Sequence, residues 1–82
     1  MIAFGILDAL QEAKLKVPGD VSVIGEDNSE LCKVCRPKLT SLDTMIRQIT
    51  LLSAETILCA MEGRPCSHYV SLEMEMHHRD SV

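Results

Sequence analysis

Val17-Pro18-Gly19-Asp20-Val21-Ser22-Val23-Ile24-Gly25-Glu26-Asp27-Asn28 (VPGDVSVIGEDN) decides how this chain reads. A proline–glycine–aspartate turn leads into a short β-branched run, which stops at once in two acids and an amide. Residues 21–25 are too few and too branched for a helix, so they read as a strand buried on both faces. Ligands of open parallel α/β sheets sit beyond the carboxyl ends of the strands, and that is where Asp27 falls. Gly25 lets the backbone turn or approach closely. A carboxylate at such a rim accepts two or more hydrogen bonds from hydroxyls or ring N–H groups. The competing reading is an exposed loop acid, or a cap for a turn at Ser29.

On the N-terminal side, residues 2–14 read as a helix, with Ile2, Ile6, Ala9, Leu10 and Ala13 recurring at intervals of three and four. Pro18 ends it, because proline disfavours helix in the residue before it. On the C-terminal side the signal is weak from Asn28 to Lys38, and Leu39-Thr40-Ser41-Leu42 reads as a short strand or connector. Asp43 is placed to N-cap a second helix. That helix runs to about Glu62 with Met45, Ile49, Leu52, Ile57 and Met61 inward, and stops at Gly63-Arg64-Pro65. The last segment alternates: Val70, Leu72, Met74 and Met76 point one way, and Ser71, Glu73, Glu75 and His77 the other. The order helix–strand–turn–strand–helix–strand is an α/β pattern with parallel-sheet features. Its two or three strands make part of a sheet.

The totals agree with an incomplete unit. The chain has 82 residues, 46% of them hydrophobic, yet Tyr69 and Phe4 are its sole aromatics, so its core must be aliphatic and sulfur-bearing. Mean hydropathy is slightly positive, at +0.12, which is high for a chain with so much surface per residue and implies apolar surface that something else covers. Net charge is −4 with Lys and Arg scattered, which argues against nucleic-acid contact by these residues. No apolar run approaches the roughly 20 residues that span a bilayer, and Met1-Ile2-Ala3-Phe4-Gly5 lacks the basic start of a secretory signal. A cytoplasmic protein is therefore expected, with Cys32, Cys35, Cys59 and Cys66 reduced rather than paired as two disulfides.

Little here suggests catalysis. No nucleophile elbow, phosphate loop or dinucleotide fingerprint is present. Cys32-Lys33-Val34-Cys35 offers two ligands of a tetrahedral metal site, but Cys59, Cys66 and the neighbouring His77-His78 do not pair with it. A redox CxxC would have to open a helix after a strand. His68, His77 and His78 read as solvated side chains around a terminal strand. No cofactor is expected.

At this point the residues resemble a known family. Ile2 through Leu10, then Leu15-Lys16-Val17-Pro18-Gly19-Asp20 and the strand up to Gly25, are similar to the C-terminal part of lactose-repressor-type (LacI/GalR) bacterial transcription regulators. The similarity continues through Asp27-Asn28, Arg36-Pro37, Leu39 to Leu42 and the helix ending at Gly63. It closes at Arg79-Asp80-Ser81, like that family's final Arg-x-Ser. The resemblance implies a partial periplasmic-binding-protein-like (type I) fold with an incomplete sheet, from a two-lobed sensor whose DNA-binding head lies elsewhere. Residues 1–39 would belong to the C-terminal lobe, 40–44 to a crossover, 45–66 to a helix packing on the N-terminal lobe, and 67–82 to the terminal strand.

Carried over residue by residue, the resemblance makes Asp27 the effector contact, with Thr44 and Asn28 as lesser candidates. It places Ala3, Phe4, Leu7 and Cys35 at a homodimer seam along helix 2–14. Glu26 stands where the family usually has Phe or Tyr, which leaves the effector class open between sugars and related metabolites. The implied partners are a small-molecule effector, a second copy of the chain, and DNA through the missing head, with no membrane. Two other readings stand beside it. One is a fragment of an exported solute-binding protein of the same fold, which a signal peptide encoded upstream of Met1 would favour over an in-frame helix-turn-helix. The other is a small metal-binding protein built on Cys32 and Cys35.

Overall fold

The computed structural model describes residues 2–66 and 69–82. Six elements follow one another: α1 (Ile2–Glu12), β1 (Ile24–Glu26), α2 (Leu31–Val34), β2 (Thr40–Asp43), α3 (Ile46–Met61) and β3 (Glu75–His77). The three strands form one open sheet in the order β1-β2-β3. β1 runs parallel to β2, with Ile24 opposite Thr40 and Glu26 opposite Leu42. β3 returns antiparallel, with Ser41 opposite His77 and Asp43 opposite Glu75. The expected α/β order and the parallel pair are present, and the sheet as a whole is mixed.

The core is small: Ala3 and Leu7 of α1 pack with Val23, Cys32 and Leu39, and Phe4, Leu10, Val17 and Cys35 close around them. Gly25 sets how closely α1 approaches the sheet. A methyl group there would lie 2.7 Å from Leu39 Cδ2 and 3.4 Å from Ala3 Cβ. The periodic set Ile2, Ile6, Ala9 and Ala13 is therefore not the buried one. Those residues are exposed, and the helix is turned so that small Ala3 faces Gly25. α1 ends in a paired-bond C-cap, with Lys14 in the left-handed region at φ 58°. The Leu15 N–H reaches the Leu10 carbonyl, and the Lys14 N–H that of Gln11.

Three strand and helix limits move from their expected places. β1 starts at Ile24 instead of 21, because β2 begins opposite Ile24. The preceding Val23 N–H bonds instead to the Ser81 carbonyl at 2.9 Å. β1 is also buried on one face only: Val23 and Gly25 are inside, whereas Ile24 is 56% exposed and Glu26 is exposed. α3 starts at Ile46 because Met45 takes a left-handed conformation (φ 56°, ψ 40°). Asp43 is then the last residue of β2 and no helix cap, its Oδ1 accepting the Met45 N–H at 2.9 Å. β3 pairs over three residues instead of the eight from Val70, since only Ser41, Leu42 and Asp43 of β2 lie opposite it. The glycine cap of α3 is as expected, with Gly63 at φ 70° and bonds from Arg64 to Cys59 and from Gly63 to Ala60.

The C-terminal tail ties the parallel pair together at its entrance. The Ser81 hydroxyl donates to the Val23 carbonyl at 2.6 Å and accepts the Thr40 N–H at 2.8 Å. Thr40, Ser41 and Ser81 are fully buried, and these bonds keep the strand entrance satisfied. α3 is different: none of its residues is buried, so its expected inward face is not closed over by the described residues. The molecule is consequently elongated, 59 × 18 × 17 Å.

Candidate functional site

The parallel strands β1 and β2 end side by side, and the residues just beyond them make the site. Asp27 and Asn28 follow β1 with φ of 81° and 46°, two left-handed residues in succession. Aspartate and asparagine are the non-glycine side chains that tolerate this best. The Asp27 N–H extends the ladder by one bond to the Leu42 carbonyl at 2.9 Å. Its side chain is exposed, and Thr44 Oγ1 donates to Asp27 Oδ1 at 3.4 Å. Two residues singled out from the sequence thus meet across 17 positions, a carboxylate and a hydroxyl together at the strand ends.

The Asn28 side chain faces inward, into a network. Its N–H donates to Ser41 Oγ at 3.0 Å, Oδ1 accepts from Arg79 Nη2 at 2.6 Å, and Nδ2 donates to Asp43 Oδ2 at 3.3 Å. Both ends of the amide are committed, so Asn28 offers a ligand little of its side chain. The Asp43 carboxyl is held below the usual carboxylate value, first by the Met45 N–H, then by Asn28, with His77 adding a smaller attraction. His77 Nε2 lies 3.8 Å from Asp43 Oδ2 and 3.9 Å from Glu75 Oε2. That nitrogen is buried with no hydrogen-bond partner among the described residues, so His77 is less solvated than its place on the terminal strand suggests. His68 lies outside the described residues. Arg79, Ser41 and Asp43 were not legible as site neighbours; the closing Arg79-Asp80-Ser81 was the one signal pointing to them.

Two shallow grooves of about 510 Å³ each flank the rim. One runs past Asp27 and Glu26 between Ile2, Ile6, Ile24 and Met76. The other runs from Thr44 between α3, through Ile49, Leu52 and Ile57, and the segment carrying Val70, Leu72 and Met74.

The seam residues separate. Ala3 and Leu7 are 6% and 7% exposed because they belong to the chain's own core, so they have almost no surface for a second copy. Phe4 and Cys35 are half-buried at its margin. Cys32 is fully buried, 3.9 Å from the Ser29 hydroxyl, and the Cys35 thiol donates to the Pro37 carbonyl at 3.2 Å. All four cysteines are free, and among the described residues no three His, Cys, Asp or Glu side chains converge on a metal position. Among the described residues, no helix is long and apolar enough to cross a membrane.

Known proteins place this geometry. The model of the periplasmic binding protein-like domain matches residues 1–82. The HTH-type transcriptional repressor PurR of Vibrio vulnificus is 37% identical over 82 residues, covering 99% of this chain and 25% of its own length. The transcription regulator CcpA of Lactococcus lactis superimposes with a TM-score of 0.88 at 25% identity, over 98% of this chain and 30% of that one. A LacI-family regulator from Enterococcus faecium with bound ribose superimposes with a TM-score of 0.84 at 31% identity, over 96% of this chain and 30% of that one. The chain spans between 17% and 25% of the length of the first curated relatives it matches. It belongs to the periplasmic-binding-protein-like domain family, and within it to the sensor domains of lactose-repressor-type regulators.

Proposed function

We propose that the chain is part of the effector-sensing and dimerising domain of a cytoplasmic DNA-binding regulator, and that its role is binding, not catalysis. Asp27 is the hydrogen-bond acceptor for a hydroxylated small molecule of sugar type, with Thr44 beside it. The observation that carries this reading is the exposed Asp27 carboxylate beyond the ends of the parallel strands, 3.4 Å from the Thr44 hydroxyl. Neighbouring polyol hydroxyls match such an acceptor, and solved relatives hold ribose and lactose. Asn28 contributes through its backbone more than its amide. A second copy approaches along α1 and near Cys35, where Phe4 and Cys35 have surface to offer. DNA contact falls to a head outside these residues. Effector closure of a two-lobed cleft would then favour one arrangement of the paired heads.

The test is calorimetric titration of D-ribose and lactose into a sensor that carries both lobes and this sequence. Replacing Asp27→Asn removes a charged acceptor, worth about 1.5–3 kcal/mol, or roughly a ten- to hundredfold loss of affinity. Clear sugar binding that Asp27→Asn leaves unchanged would sink the assignment. An upstream signal peptide in place of a helix-turn-helix would move the same site to an exported solute-binding protein.

A further inference from the structure

Asp27 and Asn28 hold a conformation that neither would choose alone. Two consecutive left-handed residues, at φ 81° and 46°, persist only where the surroundings enforce them. The Asp27 side chain does not enforce it, since it is exposed and, among the described residues, its hydrogen bond is a long one from Thr44. The constraint comes from behind, through Asn28. Its amide oxygen takes Arg79 Nη2 at 2.6 Å, its amide nitrogen gives to Asp43 Oδ2 at 3.3 Å, and its N–H gives to Ser41 Oγ at 3.0 Å. Arg79 is itself fixed at a second point, Nη1 donating to the Leu39 carbonyl at 2.8 Å.

We propose that Arg79 is a positioning residue for the effector site. Through the Asn28 amide it holds the Asp27–Asn28 turn left-handed, and so sets the carboxylate against Thr44. Arg79 lies just past the end of β3 at His77, with His78 between, and Asp43 ends β2. The amide therefore reads the placement of both strands at once, and a shift of β3 against β2 would release the turn. A charge-assisted bond from a planar guanidinium suits this task, because its two donors lie in one rigid fork. The proposal rests on the sugar-site reading for its purpose, but its geometry can be tested without a ligand.

A residue that merely staples the tail would act elsewhere. The Arg79 N–H bonds Thr40 Oγ1, and Ser81, beyond Asp80, clamps Val23 and Thr40, so a general stabiliser would loosen those positions first. Amide hydrogen exchange on a sensor that carries both lobes and this sequence, read by mass spectrometry with residue-level fragmentation, separates the two roles. The expected result for Arg79→Gln is exchange at least about tenfold faster at Asp27 and Asn28, with Val23 and Thr40 little changed. Asn28→Gly, which keeps a residue suited to positive φ but removes the amide, should speed Asp27 in the same way. Arg79→Lys, with a point charge and no fork, should fall between the unsubstituted chain and Arg79→Gln.

Unchanged protection at Asp27 and Asn28 in Arg79→Gln would overturn the proposal. So would a uniform rise that includes Val23 and Thr40, or an unsubstituted chain in which Asp27 and Asn28 are unprotected. Failure of the sugar titration leaves these exchange rates untouched, so the two ideas fail separately.

Discussion

Asp43 shows how one carboxylate can serve three neighbours. Its oxygens accept the Met45 N–H and the Asn28 amide, and His77 stands within 3.8 Å. Because these contacts favour the charged form, its folded-state value lies below the ordinary 3.8. The unfolded chain therefore takes up the proton more readily in acid. The stabilisation is complete above the ordinary value and is lost as pH falls below about 4 through the lowered folded value. Comparing urea unfolding of the chain with Asp43→Asn at pH 7 and pH 3 checks this. The gap between the two should narrow at pH 3, and an equal gap at both would rule the effect out. At this scale the sequence was informative about Asp27, whose place follows from the strand before it. It was silent about the bond between Asn28 and Arg79, which joins positions 51 residues apart.

Among the elements, the instructive contrast is between α1 and the closing tail. α1 is apolar on more than one side, so periodicity identified a helix without choosing its buried face. Contact of Ala3 with Gly25 and Leu39 chose it. The tail has no periodicity, yet Ser81 is fully buried and bonded to both parallel strands. Ser81→Ala would leave the Val23 carbonyl without its donor and the Thr40 N–H without its acceptor. At about 1–3 kcal/mol for each buried group left unmet, the expected loss is on the order of 2–4 kcal/mol in urea unfolding. A loss below roughly 0.5 kcal/mol would mean that the clamp is not what joins the strand entrances.

As a whole, the molecule is larger and more open than its length warrants. Its radius of gyration is 17.8 Å, against roughly 12 Å for a compact chain of this size. Its accessible surface is 6249 Å², against roughly 4,900 Å². Much of the excess is apolar: Ile46, Leu51, Ile57, Leu58 and Met61 of α3 are all more than half exposed, as are Val70 and Met74. A helix apolar on most sides is ordinarily buried. Isolated at tens of micromolar, the chain should therefore be poorly soluble or self-associate. Sedimentation velocity would show species heavier than 9.1 kDa growing with concentration. A clean monomer with a cooperative melt would contradict this account of the exposed surface.

By itself the sequence determined the kinds and order of the elements, the family, and the delivery of Asp27 to the end of a parallel strand. Each depends on residues a few positions apart, where helical or alternating spacing and turn chemistry act directly. Only the tertiary structure decided which face of α1 is buried, where β1 and β3 begin to pair, and that Asn28 serves Arg79 and Asp43. Those outcomes rest on contacts between residues up to 58 positions apart, such as Val23 with Ser81, which no local pattern encodes. Burial and hydrogen-bond satisfaction are properties of the assembled neighbourhood, and the neighbourhood exists only once the chain has folded.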